Sequence, residues 1–240
     1  TFMVQNIYDS WPKLPQQTAI ERLRILQVLM KTTPHANTPK VGLANASPGK
    51  QVLGTVPVEP DGSAYFRAPA GVPLLFQALD VNGMAVQTMR SVTYLRPGER
   101  ATCIGCHQYP GRVPSPSFSA VAQSRAPSII AAGPDGSRPL SYPILVQPVL
   151  DKHCTNCHSG AKAAAGVDLT GTPEGSFTAS YNALAPLVSF SQWNGPPSAN
   201  AEPQTRPDVF GARASKLMAL LLKGHELSLI HISEPTRLLS

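Results

Sequence analysis

Cys103-Ile104-Gly105-Cys106-His107 reads C-x-x-C-H, and the same pattern returns at Cys154-Thr155-Asn156-Cys157-His158. This is the attachment signature of a c-type haem. Two thiols three positions apart add to the two vinyl groups of one porphyrin, and the next His turns its imidazole to the iron. The two motifs consume all four cysteines of the chain. Two haem c groups per chain are therefore expected, one on Cys103 and Cys106 with His107, the other on Cys154 and Cys157 with His158. Zinc is the main rival, but ribbon knuckles lie about 15–20 residues apart. Here 47 residues separate Cys106 from Cys154, and zinc gives no reason for a His directly after each pair. A thioredoxin-like pair needs a βαβ setting, which the pattern lacks. A disulfide framework does not produce one pentapeptide pattern twice.

Upstream of the first motif the chain reads as β. Leu23 to Met30 is apolar with weak alternation and fits a strand or a short helix; a strand is favoured because Thr32-Thr33-Pro34 halts it quickly and strands follow. Val52 to Val58 runs to the turn Pro60-Asp61-Gly62, and Ala64-Tyr65-Phe66 leads out. Leu74 to Leu79, Met84 to Met89 and Ser91 to Leu95 come next as further short strands. Residues 1–22, with Pro12 and Pro15, read as an extended lead-in. The expectation is a small antiparallel sandwich-like domain over 1–109, ending in the first motif.

Downstream, residues 110–140 are Pro-rich and read as a linker or wrapping loop. Pro148 suits the first turn of a helix that would deliver the second motif. Ser215 can cap a closing helix, Lys216 to Lys223, with Gly224 as its stop. Tyr181, Leu184, Leu187, Phe190 and Trp193 are candidates for haem packing or core. Residues 141–226 thus read as a mostly α-helical, cytochrome c-like domain with long Pro-rich loops, making the whole α+β. Leu227 to Arg237 resembles a translated sequencing adapter, so 227–240 is expected to be a non-native tail that cuts the domain near Glu226.

Composition narrows the function classes. Of 240 residues 42% are apolar and 14% charged, with 25 Pro and 18 Gly, which suits globular units with irregular connections. The formal charge is +6, yet no Lys/Arg run makes a nucleic-acid footprint, and four haem propionates would offset much of it. No apolar run reaches the roughly 18–20 residues of a membrane span. Haem c is attached outside the cytoplasmic membrane, so a periplasmic or otherwise exported location is expected, although no signal peptide is seen.

Four stretches resemble the hydrazine synthase alpha subunit-like family of multihaem bacterial cytochromes. They are Leu53 to Ala64, Phe76-Gln77-Ala78-Leu79-Asp80 through Met89-Arg90-Ser91, Tyr94 to His107, and Pro148-Val149-Leu150-Asp151 into the second motif. The resemblance covers roughly residues 1–226. It implies a β-rich middle domain bearing one haem and a C-terminal cytochrome c domain bearing the other. Further domains or subunits of a larger oxidoreductase are implied as partners.

Three functions compete. The favoured one is a dihaem electron carrier, a fragment of a larger exported oxidoreductase. The alternative is a catalytic haem enzyme acting on a small nitrogen or oxygen compound at the first haem. A non-redox binding module lacks a supporting surface aromatic row. His225 is the expected second axial ligand of the second haem, with Met218 as its rival. For the first iron, His35, His153, Met84, Met89 and Tyr109 are candidates, each with an ordinary packing or solvated reading beside it. Arg90 and Arg96 are candidates for propionate pairing.

Overall fold

The computed structural model describes residues 1–106, 111, 119–133, 136–190 and 206–224. The strands are β1 (Phe2–Val4), β2 (Arg22–Val28), β3 (Lys50–Pro57), β4 (Ala64–Phe66), β5 (Leu74–Leu79), β6 (Ala85–Thr88), β7 (Ala101–Cys103), β8 (Arg138–Pro139), β9 (Pro173–Glu174) and β10 (Phe177–Thr178). The helices are α1 (Tyr142–Leu145), α2 (Gln147–His153), α3 (Ala179–Leu184) and α4 (Lys216–Lys223). None among the described residues is long and apolar enough to cross a membrane.

Five strands form one antiparallel sheet in the order β6-β5-β2-β3-β8. Alternation along β2 sends Leu23 and Ile25 into the core, while β5, apolar at five of six positions, is buried along nearly its whole length. Three more strands form a second sheet, β4-β1-β7. One apolar cluster draws on both sheets: Phe2 and Val4, Ala64 and Phe66 from the second, Leu23, Ile25, Val56, Leu74, Phe76 and Val86 from the first. Phe2, Phe66 and Phe76 meet at its centre with ring centroids 5.1–5.8 Å apart, two of the three pairs edge-on.

The second sheet corrects two expectations. Residues 1–22 are not merely a lead-in, because β1 is the buried central strand between β4 and β7. And β1 pairs with β7 in parallel, in register Val4↔Cys103, so the sheets are not wholly antiparallel. A three-residue strand is too short to show a period, and a partner almost a hundred residues away leaves no local trace. Ser91 to Leu95 is likewise not a strand; it contributes one bridge, Leu74↔Thr93.

Residues 119–133 wrap the β unit closely. Ser128 exchanges backbone hydrogen bonds with Tyr65 and Arg67 on β4's side, and Ala131 with Thr55 of β3, all at 2.8–2.9 Å. The wrap thereby covers two strand edges that would otherwise present unpaired amides. At Gly54 it comes so near that a Cβ would stand 2.2 Å from Ala131 O, and φ is +142° there. Only glycine serves at such a position. Arg125 Nε donates to Glu59 Oε1 at 2.7 Å.

Asp61 anchors the start of the wrap. Its Oδ1 accepts from Ser63 N and Oγ, and its Oδ2 accepts from Val121 N at 2.8 Å. Burial alone would raise this carboxyl's pKa, but the hydrogen bonds from Ser63 and Val121 outweigh it and hold the group below its ordinary value. A lowered folded pKa stabilises the fold above the unfolded value of about 4, and that contribution is lost as pH falls through the lower folded value. Asp61→Asn should therefore flatten the acid limb of the stability curve below about pH 4. Urea midpoints measured from pH 2 to pH 7 check this. An acid limb identical to the wild type would assign the proton uptake elsewhere.

The region from Ser141 to Gly224 departs from a mostly helical unit. Among the described residues its helices are four to eight residues long, separated by 3-10 turns and the β9–β10 ribbon. Pro143, Pro148 and Pro186 each begin a new turn, and the glycines between 160 and 175 interrupt the chain beyond α2. Local expectations fare better. Pro148 lies in the first turn of α2, and Ser215 Oγ accepts from Met218 N to cap α4, which Gly224 ends. Arg213 ties this region to the β unit by pairing with both Asp208 and Asp80. The other oxygen of Asp80 accepts from Asn82 N and Met84 N at 2.9 Å, holding the β5–β6 turn.

Candidate functional site

The first motif begins as a strand. β7 delivers Cys103 beside Val4, and the backbone after it is gripped by residues 5–11. Gln5 N donates to Cys103 O at 2.9 Å, Asn6 N to Ile104 O at 3.0 Å and Trp11 N to Cys106 O at 3.3 Å. Between the cysteines the packing admits no side chain, since a Cβ on Gly105 would lie 1.9 Å from Asp9 O and 2.8 Å from Asn6 O. Both thiols are half-buried against the apolar cluster. Burial, reinforced by the neighbouring Cys103, pushes the Cys106 thiol up to about 12, and burial raises Cys103 as well. Such thiols stay protonated near neutrality and resist thiolate-driven oxidation. His107 and Tyr109 lie outside the described residues.

The second motif continues a helix. Cys154 N donates to Leu150 O at 2.7 Å and His158 N to Cys154 O at 3.0 Å, so the pentapeptide is one helical turn beyond α2. The return loop closes over it, with Ala164 N bonded to Cys157 O at 2.8 Å and Leu169 N to His158 O at 2.9 Å. The imidazole is oriented too. His158 Nδ1 stands 3.1 Å from Val167 O, and a carbonyl only accepts, so Nδ1 carries the proton. In the neutral ring Nε2 is then the unprotonated nitrogen, which is the form a metal-ligating imidazole takes. Cys157 is exposed, and burial raises the half-buried Cys154 thiol.

These residues fit a covalently held haem. All four cysteines are free thiols, as thioether formation requires. Each pair sits on a rigid backbone turn, and the described axial candidate carries its proton on Nδ1 rather than Nε2. Among the described residues no three His, Cys, Asp or Glu side chains converge.

The remaining candidates are dispersed. His35 is exposed on a loop and His153 is exposed at the end of α2. Met89 packs against the core cluster, and Met84 sits in the β5–β6 turn. Arg96 lines a surface hollow with Tyr94 and Glu99 just ahead of β7, and Arg90 is half-buried. Tyr181 packs between Tyr142 and Phe177, at 5.0 and 4.6 Å, and its hydroxyl accepts from Leu43 N at 2.9 Å. Leu184 is buried, and Leu187 and Phe190 are half-buried. Met218 lies half-buried on α4, whereas His225 and Trp193 fall outside the described residues, as does the stretch from 227 onward. The grip of residues 5–11 on the first motif and the Val167 carbonyl are features no sequence pattern announces.

Residues 18–108 match the family profile described as the hydrazine synthase alpha subunit middle domain. A 63-residue stretch is 43% identical to hydrazine synthase subunit alpha of Kuenenia stuttgartiensis, covering 25% of this chain and 8% of that protein. The fold is similar to that of solved Kuenenia stuttgartiensis hydrazine synthase, with a TM-score of 0.64 at 21% identity, over 95% of this chain and 38% of that one. The chain thus spans well under half of the relatives it matches. The likeness expected from the sequence holds for the middle domain, and for the fold it extends over nearly the whole chain.

Proposed function

We propose that this chain is the haem-bearing part of a c-type haem oxidoreductase of the hydrazine synthase alpha type, acting on a small nitrogen compound at the first motif. The observation that carries the reading is the extent of the profile match, which runs from residue 18 to 108 and so takes in the whole of Cys103 to His107. The motif is part of the matched β unit rather than an appendage to it. A haem held there supplies one-electron chemistry and an iron able to bind small nitrogen or oxygen ligands.

The residues of the chain divide the work. Cys103 and Cys106 would hold the first haem, with His107 as a candidate ligand, and residues 5–11 brace the attachment turn. Cys154 and Cys157 would hold the second, with His158 and His225 as candidate ligands. A haem held there would supply electron transfer to the first site. This keeps the electron-transfer reading, confined to residues 141–226, and leaves 1–109 as the catalytic β-sandwich unit joined by 110–140. Other domains or subunits complete the enzyme, in an exported compartment where haem c is matured.

Two measurements on one preparation test this. Intact mass after acid–acetone extraction should show two covalent haems, and a bare polypeptide mass from a maturation-competent host would overturn the assignment. Carbon monoxide should then shift about half of the reduced Soret intensity, since one haem of two is open. A spectrum indifferent to CO would return the chain to pure electron transfer.

A further inference from the structure

Gln147 is the only buried residue of α2, at 7% exposure, in the helix's first turn beside Pro148. A long polar side chain is seldom enclosed unless its hydrogen bonds are met. Here they are met at both ends of the amide. Nε2 donates to Leu169 O at 3.0 Å and to Asp151 Oδ1 at 2.7 Å, and Oε1 accepts from Ser180 Oγ at 2.6 Å. Gly171 packs on its aliphatic stem, where a Cβ would lie 3.2 Å from Cγ. One amide thus joins three pieces: the helix before the second motif, the return loop, and α3.

The return loop is what holds the His158 ring. Val167 O takes the Nδ1 proton, and Leu169 N, two residues on, donates to His158 O. The other side of that same Leu169, its carbonyl, is fixed by Gln147. We propose that Gln147 is a positioning residue for His158: by clamping Leu169 it keeps the Val167 carbonyl in line with the imidazole, and so sets the tautomer and donor strength of the ligand. The chemistry is that of an outer-shell partner acting through a first ligand. A well-aligned Nδ1–H···O=C bond makes Nε2 a stronger donor and favours ferric iron. If the clamp is lost, the bond lengthens, the donor weakens and ferrous iron gains.

The inference rests on the reading of Cys154 to His158 as a haem site, and the experiment separates the two. Full-length holoprotein is prepared as wild type, Gln147→Leu and Gln147→Met. The Met variant keeps the length of the side chain and adds no charge beside Asp151, but has no N–H for Leu169 O. Each is measured for haem mass, thermal midpoint and the reduction potential of both haems. The expected result is two haems throughout, a raised potential for the second haem in both variants, and an unchanged first haem as internal control. Unchanged potentials in both variants, even with lowered thermal midpoints, would reduce Gln147 to a structural residue and overturn the proposal. Should Gln147→Leu not fold, Gln147→Met alone decides. Should wild type carry no haem on Cys154 and Cys157, the haem reading fails, and the proposal is decided in the bare chain by nitrogen NMR of His158. A protonated Nδ1 in wild type giving way to mixed tautomers in the variants would sustain it, and one tautomer in all three would sink it.

Discussion

Gly105→Ala is expected to abolish haem attachment at the first motif while leaving the second loaded. The added methyl would start 1.9 Å from Asp9 O, a backbone atom with no rotamer by which to retreat. Ordinary carbon–oxygen contact lies well beyond 3 Å, so one of the two backbones must move by more than an ångström. Both are tied, by the hydrogen bonds from Gln5, Asn6 and Trp11 to Cys103, Ile104 and Cys106. Moving the motif breaks the fixed spacing that lets two thiols reach one porphyrin, and moving residues 5–11 unpins the motif from β1. Either route spoils the turn rather than the cysteines themselves. Mass spectrometry of the matured protein should show one haem in place of two, with peptide mapping placing the survivor on Cys154 and Cys157. Two haems with unaltered spectra would mean that residues 5–11 do not constrain the attachment turn.

That constraint illustrates where the sequence is legible and where it is silent. β4 and β5 are legible to the residue, because a Pro-Asp-Gly turn precedes one and Gly-bounded apolar runs define the other. α4 is equally plain from its cap and its stop. These are local signals, carried by a few adjacent residues. The pairing of β1 with β7 is not local, and neither is the closure of residues 119–133 over β3 and β4. Three-residue strands show no periodicity, and a Pro-rich stretch looks the same whether it links or wraps. The motif cysteines are read as haem attachment points because thioether chemistry demands their spacing. The Val167 carbonyl is not legible, because any residue supplies a carbonyl and only the loop's path aims it. Carrier and catalyst share the C-x-x-C-H signature, so the motif alone does not choose between them. The proposed catalytic role rests on the middle-domain match, which ties the first motif to a β unit rather than to a helical cytochrome.

Phe66→Ala is expected to remove about 3–5 kcal/mol, the usual cost of truncating a fully buried phenylalanine. Against a typical domain stability of about 5–15 kcal/mol, that is enough to unfold a large fraction of a marginal β unit. Phe66 has no exposed surface, and its ring stacks on Phe2 at 5.8 Å and meets Phe76 edge-on at 5.6 Å. Its removal leaves a cavity between the two sheets that neither neighbour can fill without leaving its own strand. The loss reaches the first motif by a short path: Phe66 pairs with Phe2 across β4 and β1, and β1 carries Val4 beside Cys103. Urea titration should therefore show the absorbance of the first haem changing at lower denaturant than in wild type, while the second haem, held on α2 and its return loop, responds later. Phe66→Leu keeps most of the volume and should cost less than about 1.5 kcal/mol. If Phe66→Ala lowered stability by under about 1 kcal/mol, well below the range for a buried ring, the aromatic trio would not be the centre of the core. If both haems moved together in urea, the two motifs would share one cooperative unit, and loss of the β core would take the second site with it.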